Sequence, residues 1–272
     1  RDMVRTQAAV ADHLGIGRWA LVVGGSMGGM QVLEWGVMYP ERVGAMVPIA
    51  TAAAASAQQI GWWSSGRRCI RMDPRWRGGE YYDAEAGDGP HDGLATARMI
   101  SMMTFRSDDV FSARFGREVV EPVEGYSLWQ RFQVERYLEY QGDKLVRRFD
   151  ANSYLLLTKA MDLHDLGRGR GGPEAAFARM RAPVLSIGIN SDILYPPHQS
   201  REIGEAARRA GVESKRVGDA EDALVNGLAH RRPSGRISLA TRMLRWPYSL
   251  MKAASSSSGF VSVIVASLIN IG

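Results

Sequence analysis

Ser26 stands in the run Gly24-Gly25-Ser26-Met27-Gly28, a G-x-S-x-G spacing that can present a hydroxyl for attack on an acyl carbon. The flanks make the pattern specific. An apolar run over 20–23 reads as a strand, and a helical pattern over 29–39 follows until Pro40 ends it. A strand-to-helix turn this sharp lifts the serine oxygen clear of the backbone. Glycines two before and two after it let strand and helix approach closely. The Met27 N–H, at the start of that helix, can donate to an oxyanion. Without such flanks the same letters describe a plain glycine-rich turn.

A serine hydroxyl is a weak nucleophile until a base takes its proton, and the base needs an acid to hold its tautomer. On a strand-turn-helix scaffold the chain order is Ser, then Asp or Glu, then His. Asp192 is the natural acid. It follows an expected buried strand over 183–189, and open α/β sheets place their working groups at the carboxyl ends of strands. The competing reading is a turn or cap aspartate ahead of Pro196-Pro197. Only His198 and His230 follow Asp192. His198 enters a helix and reads as a surface or capping residue. His13, His91 and His164 precede Asp192, so chain order argues against them as the base.

Stepping outward, the elements expected around Ser26 alternate strand and helix: a helix over 6–14, the strand over 20–23, a strand over 45–49, the strand over 183–189, a helix over 199–210 and a last strand over 212–217. Between them, helical spacing recurs over 58–70, 93–104, 128–140, 151–163 and 174–180, as in Leu94, Ala97, Ile100 and Met103. A mostly helical block between two strands is expected to form a lid. The length of 272 residues allows one domain with a full core and an inserted subdomain. The expected divisions are 1–50 and 183–217 for the core, 51–182 for the lid and 218–272 for a separate tail.

The net charge of +5 does not point to nucleic acid. Residues 223–272 carry six basic and no acidic residues, which leaves 28 basic against 29 acidic over the rest. This tail also contains the serine run 255–258 and reads as a changed reading frame or an unrelated fusion. A membrane-associating extension over 260–271 is the alternative; that stretch is shorter than the ~20 residues a span requires. The single cysteine, Cys69, excludes a disulfide framework, suits a reducing cytoplasm and reads as a half-buried filler. Gly167-Arg-Gly-Arg-Gly-Gly172 follows a helix and not a strand, so it reads as a flexible connection, not a phosphate loop.

The stretch from Trp19 to Trp35 resembles the homoserine O-acetyltransferase family of the actinobacterial type. Further matches come in order: Ala57-Gln-Gln-Ile, Asp73-Pro-Arg-Trp-Arg-Gly-Gly, Gly93-Leu-Ala-Thr-Ala-Arg98-Met, Arg114-Phe-Gly-Arg, Arg148-Phe-Asp-Ala-Asn-Ser-Tyr, Met161-Asp-Leu-His-Asp and Ser191-Asp192-Ile-Leu-Tyr-Pro-Pro. The resemblance runs from about the first residue to about Val217. It implies an α/β-hydrolase fold with a partial parallel sheet and a helical lid. The implied activity is ping-pong transfer of acetyl from acetyl-CoA, through an ester on Ser26, to L-homoserine, in methionine biosynthesis. It implies Ser26 and Asp192 as catalytic, Met27 as an oxyanion donor, Arg98 as the holder of the amino-acid carboxylate and Asp222 as a contact to the substrate amine. It implies no metal and no cofactor beyond acetyl-CoA as substrate, no nucleic-acid or membrane partner, a homodimer and a cytoplasmic location.

Two departures accompany the resemblance. Where the family has Gly-His-Asp, this chain reads Ala220-Glu221-Asp222, so the base is expected to be absent and the chain inactive. His230 lies in the tail and is not expected to replace it. The family's second oxyanion donor comes from a loop after an earlier strand, expected ahead of Arg1, which would leave the elbow strand with an open edge prone to association. Three classes therefore remain: an acetyltransferase fragment, a serine esterase or another O-acyltransferase (serine acceptor, succinyl donor), and a non-catalytic remnant.

Overall fold

A computed structural model provides the structure and describes residues 1–85, 87–121, 127–217 and 263–265. In chain order the elements are α1 (Asp2–His13), β1 (Leu21–Gly25), α2 (Met27–Met38), β2 (Met46–Ile49), α3 (Ala57–Met72), α4 (His91–Thr104), α5 (Asp108–Phe115), α6 (Gln133–Val146), α7 (Ala151–Asp162), α8 (Pro173–Phe177), β3 (Val184–Ile187), α9 (Pro197–Arg209), β4 (Ser214–Val217) and β5 (Val263–Val265). They fall into two compact units, a sheet body and a helical body.

The sheet body holds Arg1–Ala53, Leu166–Asn190 and the described residues from Tyr195 onward. Its strands run in the order β4-β3-β2-β1-β5, and every pairing is parallel. Parallel strands are covered on both faces, and β3 is accordingly buried throughout. Val22, Met46 and Val184 from the strands join Val32, Leu33 and Trp35 of α2 and Ile203 of α9 in one core. α2 is buried from Met27 to Val37, polar Gln31 and Glu34 included. Both find partners: Gln7 donates to Gln31 at 2.6 Å, and Arg170 donates to Glu34 at 3.1 Å. A buried carboxylate with a guanidinium partner avoids the cost of an isolated charge.

The helical body holds Ala54–Asp165 and Ser191–Leu194. Two of its helices, α3 and α7, begin with side-chain caps. Ser56 and Gln59 form a reciprocal capping box on α3, and Asp150 accepts from Ser153 N–H at 2.7 Å on α7. Asp73 joins two helices by accepting from Arg75 N–H at 3.0 Å and Gly93 N–H at 2.9 Å. Burial alone would raise the Asp73 pKa, but these N–H donors and the Arg75 charge outweigh it and hold the carboxyl below its ordinary value. Phe111, Phe115 and Tyr137 pack as an aromatic cluster with ring centroids 4.9–6.4 Å apart.

Several expectations are corrected. β1 extends through Gly24 and Gly25, because the ladder continues with Gly24 opposite Pro48 and Gly25 opposite Ile49. α2 begins at Met27, directly after Ser26. The helix expected over 128–140 is α6, starting at Gln133; Leu128 and Trp129 are 86 % and 84 % exposed and form no apolar helix face. α5 was not expected, and no residue of it is buried, so it carries no helical stripe to read. By contacts, Leu166–Asn190 groups with the sheet body, and the segment bearing Asp192 groups with the helices. The edge of β1 is not open: Leu21, Val22 and Val23 pair with Val263, Ile264 and Val265 of the tail. The glycine run at 167–172 is not a loose connection. Arg170 and Gly172 N–H groups return to the Gly167 carbonyl at 3.0 and 3.3 Å, and Arg170 is ion-paired with Glu34.

Candidate active site

Ser26 sits at the C-terminal end of β1, between the last strand residue and the first helical one. Its backbone has φ 53° and ψ −122°, a positive φ that costs a side-chain-bearing residue about 1–3 kcal/mol unless its surroundings impose it. They do. The Ser26 N–H donates to the Ile49 carbonyl at 2.9 Å, and the Ser26 carbonyl accepts the Thr51 hydroxyl at 2.8 Å and the Met30 N–H at 3.2 Å. A Cβ on Gly24 would lie 2.5 Å from the Gly28 carbonyl carbon, and one on Gly29 would lie 2.6 Å from Thr51 Cβ. Both values are below any tolerable contact, so glycine at 24 and at 29 is a packing requirement. Ala50 also has a positive φ, 43°, where the chain turns from β2 into Thr51.

The consequence is a hydroxyl held at the carboxyl end of a parallel sheet, with the first turn of α2 behind it. The amides of that turn, Met27 first, have no carbonyl within the helix to pair with. They face the end of the helix that favours negative charge. Ser26 Oγ donates to the Tyr195 phenol oxygen at 3.4 Å. Tyr195 is 3 % exposed. Sequence reasoning quoted Tyr195 within Ser-Asp-Ile-Leu-Tyr-Pro-Pro but gave it no role, and it did not single out Thr51; the Tyr195 contact spans 169 positions, beyond the reach of any local pattern.

Asp192 is half-buried, and its Oδ1 accepts from the Leu194 N–H at 2.8 Å. That bond is the turn geometry its competing reading described. Ser26 and Met27 are thus brought together with Tyr195 in the sheet body, whereas Asp192 and Arg98 belong to the helical body. Asp222, Glu221 and His230 lie outside the described residues. His198 is exposed in the first turn of α9, as expected for a surface residue.

Arg98, on α4, is 1 % exposed. Among the described residues its Nε and Nη1 have no hydrogen-bond partner, and its guanidinium stacks 5.4 Å from the Phe105 ring centroid. Burial, with the nearby charges of Arg148 and Arg106, pushes its pKa down to about 10, which leaves it charged at neutral pH. A buried cation without a carboxylate is costly, and its planar fork fits a ligand carboxylate. Nearby, the buried Tyr154 phenol shares a 2.8 Å hydrogen bond with Ser101 and is pushed up to about 12 by desolvation. Among the described residues, no group of three or more His, Cys, Asp or Glu is placed to hold a metal. No helix there is long and apolar enough to cross a membrane.

Comparison with known proteins follows the same lines. Residues 1–224 match the model of the alpha/beta hydrolase fold family. The chain is 48 % identical over 221 residues to the homoserine O-acetyltransferase of Moorella thermoacetica, covering 79 % of this chain and 58 % of that one. It is 50 % identical over 216 residues to the homoserine O-acetyltransferase of Carboxydothermus hydrogenoformans, covering 79 % and 56 %. The chain therefore spans little more than half the length of these curated relatives. Among solved structures, homoserine O-acetyltransferase from Bacillus anthracis superposes with a TM-score of 0.74 at 23 % identity, covering 86 % of this chain and 66 % of that one. Esterase E22 superposes with a TM-score of 0.73 at 25 % identity, covering 84 % and 63 %.

Proposed function

The chain belongs to the alpha/beta hydrolase fold family, and from that premise we propose that it is built for acetyl transfer from acetyl-CoA to the hydroxyl of L-homoserine. The observation that carries this reading is Ser26 at positive φ between β1 and α2, with identity near 50 % to named homoserine O-acetyltransferases. In the first half-reaction Ser26 Oγ attacks the thioester carbonyl. The Oγ–C bond forms, the C–S bond breaks, and CoA leaves with the electron pair while the serine proton passes to a base. In the second, the homoserine oxygen bonds to the acetyl carbon and gives its proton to the base, the acetyl C–Oγ bond breaks, and Oγ leaves with the electron pair and takes a proton back from the base, restoring the serine. The Met27 N–H stabilises the oxyanion in both.

Arg98 takes the acceptor carboxylate in this reading, Asp222 takes its amine, and Asp192 serves as the triad acid. Neither a metal nor a prosthetic group is required. Exclusion of water from the site lets the amino acid intercept the acyl-enzyme before hydrolysis. Methionine biosynthesis, a cytoplasmic location and a homodimeric assembly complete the proposal. A serine esterase is the alternative favoured by the likeness to esterase E22. The buried Arg98 supports a charged acceptor over a plain ester.

The resemblance puts Glu221 where the family has its base. A carboxylate cannot accept a proton on one atom while donating from a second to Asp192, and loss of the base from a serine triad costs on the order of a million-fold in turnover. CoA release from acetyl-CoA, with and without L-homoserine, tests the proposal on the chain as it stands and on the double variant Ala220→Gly, Glu221→His. The variant is expected to gain at least a hundredfold in homoserine-dependent release. Release that ignores homoserine and yields free acetate would replace the transferase reading with the esterase.

A further inference from the structure

We propose that Tyr195 is a positioning residue for the nucleophile, holding the Ser26 hydroxyl in the rotamer from which it attacks an acyl carbon. The inference rests on the reading of Ser26 as that nucleophile. Tyr195 Oη is the hydrogen-bond partner of Ser26 Oγ among the described residues, and the serine is the donor, at 3.4 Å. Both residues belong to the sheet body. A serine side chain has three staggered χ1 wells, and a hydroxyl exposed at a turn samples all of them unless something selects one. The bond to Tyr195 selects one well and sends the proton toward the phenol oxygen. The Oγ lone pairs are then left for the incoming carbon. At 3.4 Å the contact is longer than the usual hydroxyl pair, which leaves it free to tighten when substrate arrives.

The phenol is itself well fixed. The residue is 3 % exposed. Its backbone precedes Pro196 and Pro197, and a residue before proline is confined to extended conformations. Pro197 then opens α9. On the opposite side the serine backbone is pinned by Ile49, Thr51 and Met30. Two rigid elements distant in sequence thus converge on one oxygen, a geometry suited to precise placement of a reacting atom.

The test uses the full chain and p-nitrophenyl acetate as an activated acyl donor. In the step measured, Ser26 Oγ bonds to the acetyl carbon and its proton goes to solvent, while the C–O bond to p-nitrophenolate breaks and that ion leaves with the electron pair. Acylation is followed by p-nitrophenolate release and by mass spectrometry of the Ser26 peptide, with Ser26→Ala as background. Tyr195→Phe keeps the ring and removes only the oxygen. It is expected to slow the saturating acylation rate about tenfold while leaving the half-saturating ester concentration and the melting temperature unchanged. Tyr195→Leu, which removes the ring as well, is expected to be no faster than Tyr195→Phe and to melt lower. If Tyr195→Phe acylates like the unaltered chain, or if its loss lies wholly in half-saturation, the positioning role is overturned while Ser26 remains the nucleophile. If the chain repaired by Ala220→Gly and Glu221→His acquires no label on Ser26, both readings fall together.

Discussion

The two bodies of this chain hold their functional residues in opposite states. In the sheet body every polar atom of Ser26 has a partner: its N–H on Ile49, its carbonyl on Thr51 and Met30, its hydroxyl on Tyr195. Its unfavourable conformation is imposed by contacts that leave no room to relax. In the helical body Arg98 is buried more deeply than the half-buried Ser26, yet its Nε and Nη1 lack partners among the described residues. One site spends stability on geometry and the other on uncompensated charge. The first suits a reacting group that must not move. The second suits a group that waits for a ligand to complete it.

The largest effect that sharpens this contrast belongs to the elbow. Gly24→Ala places a methyl against the backbone of Gly28, which cannot swing aside, so the chain should lose about 3 kcal/mol in denaturant unfolding; a loss below 1 kcal/mol would mean that the elbow is looser than the contacts require. Next is Asp73, the satisfied counterpart of Arg98 within the helical body. Asp73→Asn should cost about 2 kcal/mol at pH 7 by weakening charge-assisted bonds from Arg75 and Gly93. Because the folded pKa of Asp73 lies below 3.8, that stabilisation is present above about pH 4 and fades as pH falls through the lower folded value. Melting curves of the variant and the parent chain should therefore converge in acid.

Arg98→Met should move stability the other way, raising it by about 1 kcal/mol at pH 7, since a methionine of similar length removes a buried cation without leaving a large void. In the chain repaired at positions 220 and 221, the same substitution should raise the KM for L-homoserine more than tenfold and leave ester acylation of Ser26 unchanged. A destabilised Arg98→Met would show that the guanidinium is satisfied, and the contrast between the bodies would fail. The smallest effect is Thr51→Val, which removes one hydroxyl bond to the Ser26 carbonyl at nearly constant shape. It should cost about 1 kcal/mol, with Thr51→Ser recovering most of it.

The elbow was legible because its chemistry is local. Five residues and their flanks dictate a strand, a turn and a helix, and the close approach at Gly24 follows from them, whereas the one at Gly29 on Thr51 lies outside the motif. The helix bearing Arg98 was legible in its existence but only half in its face: of Leu94, Ala97, Ile100 and Met103, the first two are buried, Ile100 is half-buried and Met103 is exposed, with Met102 buried in its place. What could not be read depends on distance or on exposure. The contact of Tyr195 with Ser26 and the pairing of β5 with β1 join positions far apart in the chain. The segment at 128–132 misled because Leu128 and Trp129 are apolar but exposed, and α5 gave no signal because nothing in it is buried. The Glu34–Arg170 ion pair joins positions 136 apart, which no periodicity announces.

The central claim is that Ser26 is the chain's acyl acceptor. Its most direct test is intact-protein and peptide mass spectrometry after incubation with acetyl-CoA. The account predicts a single acetyl group, on the peptide that contains Ser26, accumulating slowly in the chain as it stands, at least a hundredfold faster in Ala220→Gly, Glu221→His, and absent in Ser26→Ala. An acetyl group that persists in Ser26→Ala, or one that forms on any other residue at an equal rate, would contradict it.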